Sequence, residues 1–203
     1  MNRNIFVATT FSLVLYACGS GNPSENEIKS ALAEIANRKG CATSVLFEEM
    51  PIKGEKRIRD NKKIIDAIVA ANLVKKSGNT YELTDLGKSA YDANYKGFCH
   101  TEGYNIKNIA VVKKEDKREL SGTPLSGAWY VSFTIAPSNV SEWVKTPQIL
   151  QEASNASLEK ISAEEKYTVR FAKKAGENDI FVADPHFSFR GNSIHFNMSW
   201  STF

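Results

Sequence analysis

The chain has 203 residues, 42% hydrophobic and 24% charged, with 26 basic against 23 acidic side chains and a formal net charge of +3. That length suits one domain of moderate size or two small ones. With the two signs so evenly matched and interspersed, the charge excludes a strongly basic binder of nucleic acid or of anionic lipid.

The first stretch is a leader. Arg3 supplies a positive start, and Ile5 to Tyr16 is a mostly apolar run of 12 residues, too short for the ~20 that span a bilayer. Small Ala17 stands just before Cys18. Leu15-Tyr16-Ala17-Cys18 resembles a bacterial lipoprotein signal, with Tyr16 bulkier than usual at its place. The resemblance implies that residues 1–17 are removed as a signal peptide and that the Cys18 sulfur carries a diacylglycerol. Several acyl chains on one residue anchor firmly where a single chain binds marginally. Gly19 rather than Asp follows Cys18, which by the same resemblance implies the outer membrane, facing the periplasm. Loss of 17 residues and of Arg3 leaves a mature chain of 186 residues with a net charge of +2.

With Cys18 given to lipid, Cys41 and Cys99 remain. An even pair in an oxidising compartment is most simply a disulfide. Their separation of 58 positions makes the bond worth about 4 kcal/mol in the chain-entropy picture. Neither CxxC nor HxxxH spacing occurs to support a metal site instead.

Residues 18–23 form a lipidated linker, rich in helix breakers. Ser24 and Glu27 make a capping box, and Ile28, Ala31, Leu32 and Ile35 give one buried helix face that ends at Gly40. Cys41 to Phe47 reads equally as a short strand or a helix. Asn61 to Asn72 is a helix with Ile64, Ile65, Ile68 and Ala71 inward. Leu73–Lys76 and Thr80–Leu83 flank a Ser77-Gly78-Asn79 turn, and Thr84 caps the next helix. Helix, hairpin and then Tyr81-x-Leu83-Thr84-x-x-Gly87-Lys88 resembles the wing and closing helix of winged-helix domains, over about residues 25–97. The helix before the hairpin carries Lys62 and Lys63 only at its start and an apolar middle, so no nucleic-acid partner is expected. The basic run Lys53, Lys56, Arg57, Arg59, Lys62 and Lys63 reads as a solvated face rather than as a site for an anionic surface.

In the second half the period changes from 3.6 to 2. Asn105 to Val112 is a strand, Lys113 to Leu120 a charged connection and Ser121–Pro124 a turn. Over Ala128 to Ile135, Trp129, Val131, Phe133 and Ile135 point one way and Tyr130, Ser132 and Thr134 the other. Thr146-Pro147 starts a helix carrying Ile149, Leu150 and Ala153. Tyr167, Val169 and Phe171 alternate again. Gly191-Asn192 reads as a two-residue hairpin turn that pairs Phe189 with Ile194 and Phe187 with Phe196. The expected fold is therefore α+β. A winged-helix-like N-terminal half, 24–97, precedes a mainly antiparallel β-rich half with one helix, 98–203.

Asp184, His186 and His195 would share the polar face of that last hairpin, with Ser188 opposite His195. Catalysis needs convergent geometry, and one face of one ribbon does not supply it. No catalytic residue, metal site or cofactor is expected. Trp129 and Trp200 fall on apolar faces, while Trp143 follows polar Ser141-Glu142 and is expected to be an exposed aromatic. Phe98-Cys99-His100, with an Ile-x-x-Ile strand after it and Trp143 further on, resembles a group of small proteobacterial lipoproteins over about residues 75–150. His100-Thr101-Glu102 departs from that group, and the resemblance implies a location and no mechanism. The function expected is a non-enzymatic binding or accessory module of the cell envelope, with a protein or envelope partner. A protective lipoprotein that neutralises a toxin or hydrolase comes second, and an enzyme using the His186/His195 face last.

Overall fold

The computed structural model describes residues 21–154, 156–189 and 191–198. The leader, Cys18 and Trp200 lie outside the described residues. Ser24 caps the first helix as its spacing predicts. Its hydroxyl accepts from the Glu27 N–H, and the Glu27 carboxylate takes the Ser24 N–H at 2.8 Å, satisfying two orphan donors together. The expected long helix breaks at Leu32 into α1 (Glu25–Ala31) and α2 (Ala33–Ala36). The ambiguous segment resolves as β1 (Gly40–Thr43) followed by a 3-10 turn at Val45–Phe47. Next come α3 (Glu55–Asp60), α4 (Lys62–Ala70), β2 (Val74–Ser77) and β3 (Thr80–Leu83). Thr84 caps α5 (Asp85–Ala90), its Oγ1 accepting from the Gly87 N–H at 2.9 Å. Gly87 is required by close approach, since a Cβ there would meet the Leu73 carbonyl oxygen at 1.8 Å.

The chain continues through β4 (Tyr91–Asp92), β5 (Gly97–Thr101), β6 (Gly103–Glu115), β7 (Glu119–Leu120) and β8 (Thr123–Ser138). A 3-10 turn at Glu142–Lys145 leads to α6 (Pro147–Glu152), which starts on the expected Thr146-Pro147. β9 (Ala153–Ser154), α7 (Leu158–Ser162), β10 (Glu165–Lys174), β11 (Ile180–Val182) and β12 (Ile194–Phe196) complete it. Among the described residues no helix is long and apolar enough to cross a membrane.

Among the described residues, two five-stranded sheets carry the two larger cores, beside the β2-β3 hairpin and a small cluster of Ala128, Ala172 and Ala183. The first is mixed, in the order β4-β5-β1-β12-β9, with β1 and β12 parallel. Its inner face, Ala42, Phe98, Ile194, Phe196 and Ala153, packs on α4, α6, Phe47 and Trp143. The second is an antiparallel meander in the order β11-β10-β8-β6. Trp129, Val131, Phe133 and Ile135 bury on one face of it as their alternation predicts, together with Val169, Phe171 and Tyr104. Its other face carries half-exposed Tyr130 and Ser132.

This architecture corrects the expected one. Residues 24–97 do not close on themselves as a winged-helix-like half. Ile28 and Leu32 of the first helical segment are buried in the core of the second sheet, against Val169, Phe171 and Phe189. β1 lies between β5 and β12 in the first sheet, so that sheet takes strands from both ends of the chain. The helix–hairpin unit of α4, β2 and β3 is present, but an apolar face of period 3.6 buries wherever a complementary sheet offers itself. Nor does the second half contain one helix: α6 and α7 both occur there. Of the described residues 28% are helical and 39% are in strands, so the fold is a mixed α/β one dominated by sheet.

The terminal hairpin is corrected as well. β12 pairs with β1 and β9, not with residues 186–189. Phe189 is buried in the second core, whereas Ile194 and Phe196 are buried in the first. Equal hydrophobicity on the two sides of Gly191-Asn192 suits a hairpin over one core and a crossing between two cores equally well. The structure takes the crossing.

Candidate functional site

Two polar groupings flank β1, one exposed and one buried. The exposed grouping is a lateral row on the outer face of the first sheet. Asp92, Gly97, Thr43, His195 and Ser154 occupy paired positions on successive strands. The Thr43 Oγ1 and His195 Nδ1 lie 2.6 Å apart, and the Ser154 hydroxyl donates to the His195 carbonyl at 2.9 Å. On the same face, Cys41 and Cys99 are directly paired with their sulfurs 2.10 Å apart, at disulfide distance. At the end of the row, Lys39 Nζ sits 3.0 Å from Asp92 and 3.7 Å from Glu102. The hydrogen bond from Lys39 holds the Asp92 carboxyl below its ordinary value, and the same bond raises the Lys39 ammonium.

A hydroxyl beside an imidazole is the reach of a nucleophile and a base. Group transfer also needs the base oriented by a third group, and donors for the developing charge. The one carboxylate in this row, Asp92, is two strands from Thr43 and engaged by Lys39. The row is therefore a hydrogen-bonded polar surface.

Asp184, His186 and His195 are not brought onto one ribbon. Asp184 Oδ1 accepts from the His186 N–H at 2.9 Å, a local turn in the segment after β11, while His195 belongs to the other sheet. The neighbours of His195 are Thr43 and Ser154 in place of Ser188. Among the described residues, no three His, Cys, Asp or Glu side chains are placed to hold a metal ion. Trp143, expected outside, is buried in the first core with 5% of its surface exposed. The 3-10 turn of Glu142–Lys145 rolls its indole under while Glu142 stays out. Of the basic run, Lys62 pairs with Asp66, and Arg57 donates to the Val45 carbonyl at 2.8 Å.

The buried grouping joins the two cores. His100, fully buried, lies 3.1 Å from the Asn192 carbonyl through Nε2. The Asn192 N–H donates to the Tyr104 hydroxyl at 2.8 Å. The Asn192 side-chain amide donates to the carbonyls of Lys160 at 2.7 Å and Ile161 at 3.2 Å. Gly40 lets β1 pass this cluster, because a Cβ there would lie 2.8 Å from the Tyr104 hydroxyl and 2.9 Å from the His100 ring. Burial pushes the His100 imidazole down to about 4 against the pull of the Asn192 carbonyl, and burial raises the Tyr104 phenol. Asn192 thus pins the crossing segment to β5, β6 and α7 together. Asn192→Ala leaves the buried Ile161 carbonyl of α7 without this donor, at about 1–3 kcal/mol, and removes one of the two donors to the part-buried Lys160 carbonyl. We expect a loss of about 1–3 kcal/mol in urea unfolding, with the crossing segment opening first in amide exchange.

Thr43, Asn192, His100 and Tyr104 are not singled out by any local pattern. Their partners stand 31 to 152 positions away, and only the turn residues Gly191-Asn192 mark the place. Comparison with protein-family models, with curated proteins and with solved structures returns no match for the chain.

Proposed function

We propose that the protein is a lipid-anchored, non-enzymatic binding or accessory module of the cell envelope, held at the periplasmic face of the outer membrane through Cys18. Its partner is a protein or an envelope component, and nucleic acid is not one. The observation that carries this reading is the division of the three cysteines. Cys18 stands in the Leu-Tyr-Ala-Cys signal, and Cys41 and Cys99 face one another at disulfide distance on adjacent strands. A disulfide-bonded body behind a lipidated cysteine fits an oxidising compartment and a membrane surface. The exposed Thr43–His195–Ser154 row gives such a module a polar surface for recognition.

Cys18→Ala should move the protein from the membrane to the soluble fraction of lysed cells. Retention of that variant on membranes in high salt would overturn the anchor. Intact mass of the periplasmic protein should rise by two alkyl groups only after reduction, through Cys41 and Cys99. Two thiols alkylated without reductant would overturn the compartment.

A further inference from the structure

The His100 ring has two nitrogens with different roles. Nε2 faces the backbone carbonyl of Asn192, which can only accept, so Nε2 carries the proton in the neutral ring. Nδ1 is therefore a bare acceptor. It is buried and has no hydrogen-bond partner among the described residues. The neighbouring ring is Trp143, with its centroid 6.3 Å away and its plane at 67°. Its Nε1–H, a donor only, is likewise buried and without a partner among the described residues. The two rings meet edge to face and the backbone holds them there, since the Ser141 N–H donates to the His100 carbonyl at 2.8 Å just before the turn that carries Trp143.

An unpaired buried donor beside an unpaired buried acceptor is a costly arrangement, about 1–3 kcal/mol for each group, and buried polar groups are almost always satisfied by protein or by water. We propose that one internal water molecule occupies a site between Trp143 and His100, accepting from Trp143 Nε1–H and donating to His100 Nδ1. The chemistry selects that class of ligand. A metal ion on Nδ1 would leave the indole N–H unanswered, and an anion would accept from the indole but have no proton for Nδ1. Only a hydroxylic molecule does both, and water is the one small enough for a packed interior. The water completes a chain from the turn at Glu142–Lys145 through His100 and Asn192 to α7, and so links the first core to the segment that crosses to the second.

A crystal structure of the mature protein at a resolution that shows ordered water tests this, together with the side-chain nitrogen spectrum of His100. The expected result is a single water within about 2.7–3.2 Å of both nitrogens, and a His100 spectrum of the Nε2–H tautomer with Nδ1 accepting a hydrogen bond. In Trp143→Phe the tautomer should persist while the water loses one partner and exchanges faster with bulk. Direct contact of the two nitrogens, a protonated Nδ1, or a dry junction in the unmodified protein would each overturn the proposal. The unmodified protein decides the question even where the variant fails to fold.

Discussion

Phe47→Ala is expected to destabilise the protein by about 3–5 kcal/mol, the range for emptying a buried phenylalanine site. The ring is fully buried and meets Phe98 edge-on at 5.1 Å and Phe196 at 5.7 Å. These three rings come from the turn after β1, from β5 and from β12, so one side chain touches the early, middle and late thirds of the chain. The Phe47 backbone is fixed independently, because the Tyr91 hydroxyl donates to its carbonyl at 2.8 Å. The neighbours therefore have little freedom to close the hole, which places the loss toward the upper end of the range. Against a total of about 5–15 kcal/mol for a typical domain, this is a large fraction. Urea unfolding with the cysteine pair left intact measures it. Phe47→Leu, which keeps most of the volume, should cost less than half as much. Equal losses for the two variants would mean that ring contacts, not volume, set the energy.

Acidification is expected to remove about 3 kcal/mol of stability between pH ~6.5 and ~4. The cause is His100. Its imidazole is held neutral in the fold down to about 4 by burial, whereas in the unfolded chain it takes a proton near 6.5. The folded value is the lower one, so the unfolded state binds more protons inside that window and stability falls as pH falls. Above pH ~6.5 the ring is neutral in both states and the contribution is complete. Each pH unit of the descent costs about 1.4 kcal/mol. Below pH ~4 the ring is charged in both states and this slope disappears. His100→Phe cannot titrate and should flatten the profile between those limits, although it also loses the bond to Asn192. Urea midpoints across the range check the sign, and a wild-type profile already flat from pH 6.5 to 4 would refute the assignment.

Legibility in the sequence followed distance along the chain. The Ser24–Glu27 box, the Thr84 cap, the hairpin at 74–83 and the Thr146-Pro147 start are all settled within a few residues, and each occurs in the structure. The alternation at 128–135 also transferred directly, because period 2 on one strand states which residues bury. The partners of an apolar face remained hidden. Ile28 and Leu32 announce a buried stripe but not whether α4 or the second sheet receives it. Ile194 and Phe196 announce a strand face but not that β1 lies beside it. Trp143 departs from its expected exposure for a related reason: polar Ser141-Glu142 mark a surface segment, yet a single 3-10 turn aims one side chain inward. In the candidate site, Cys41 and Cys99 were legible by elimination, whereas Thr43 beside His195 depends on a parallel pairing with no signature in either segment.

That parallel pairing also governs when the protein can fold. Thr43 and His195 are 152 positions apart, and β12 stands between β1 and β9 in the first sheet. A chain that emerges from its N-terminus onward cannot finish this sheet until residue 196 has appeared. Closure of so long a loop comes late and makes for slow folding. Such an order of events keeps the first sheet open for most of synthesis. It also makes Ile194–Phe196 indispensable, because a chain cut before Ile194 has no strand to stand between β1 and β9.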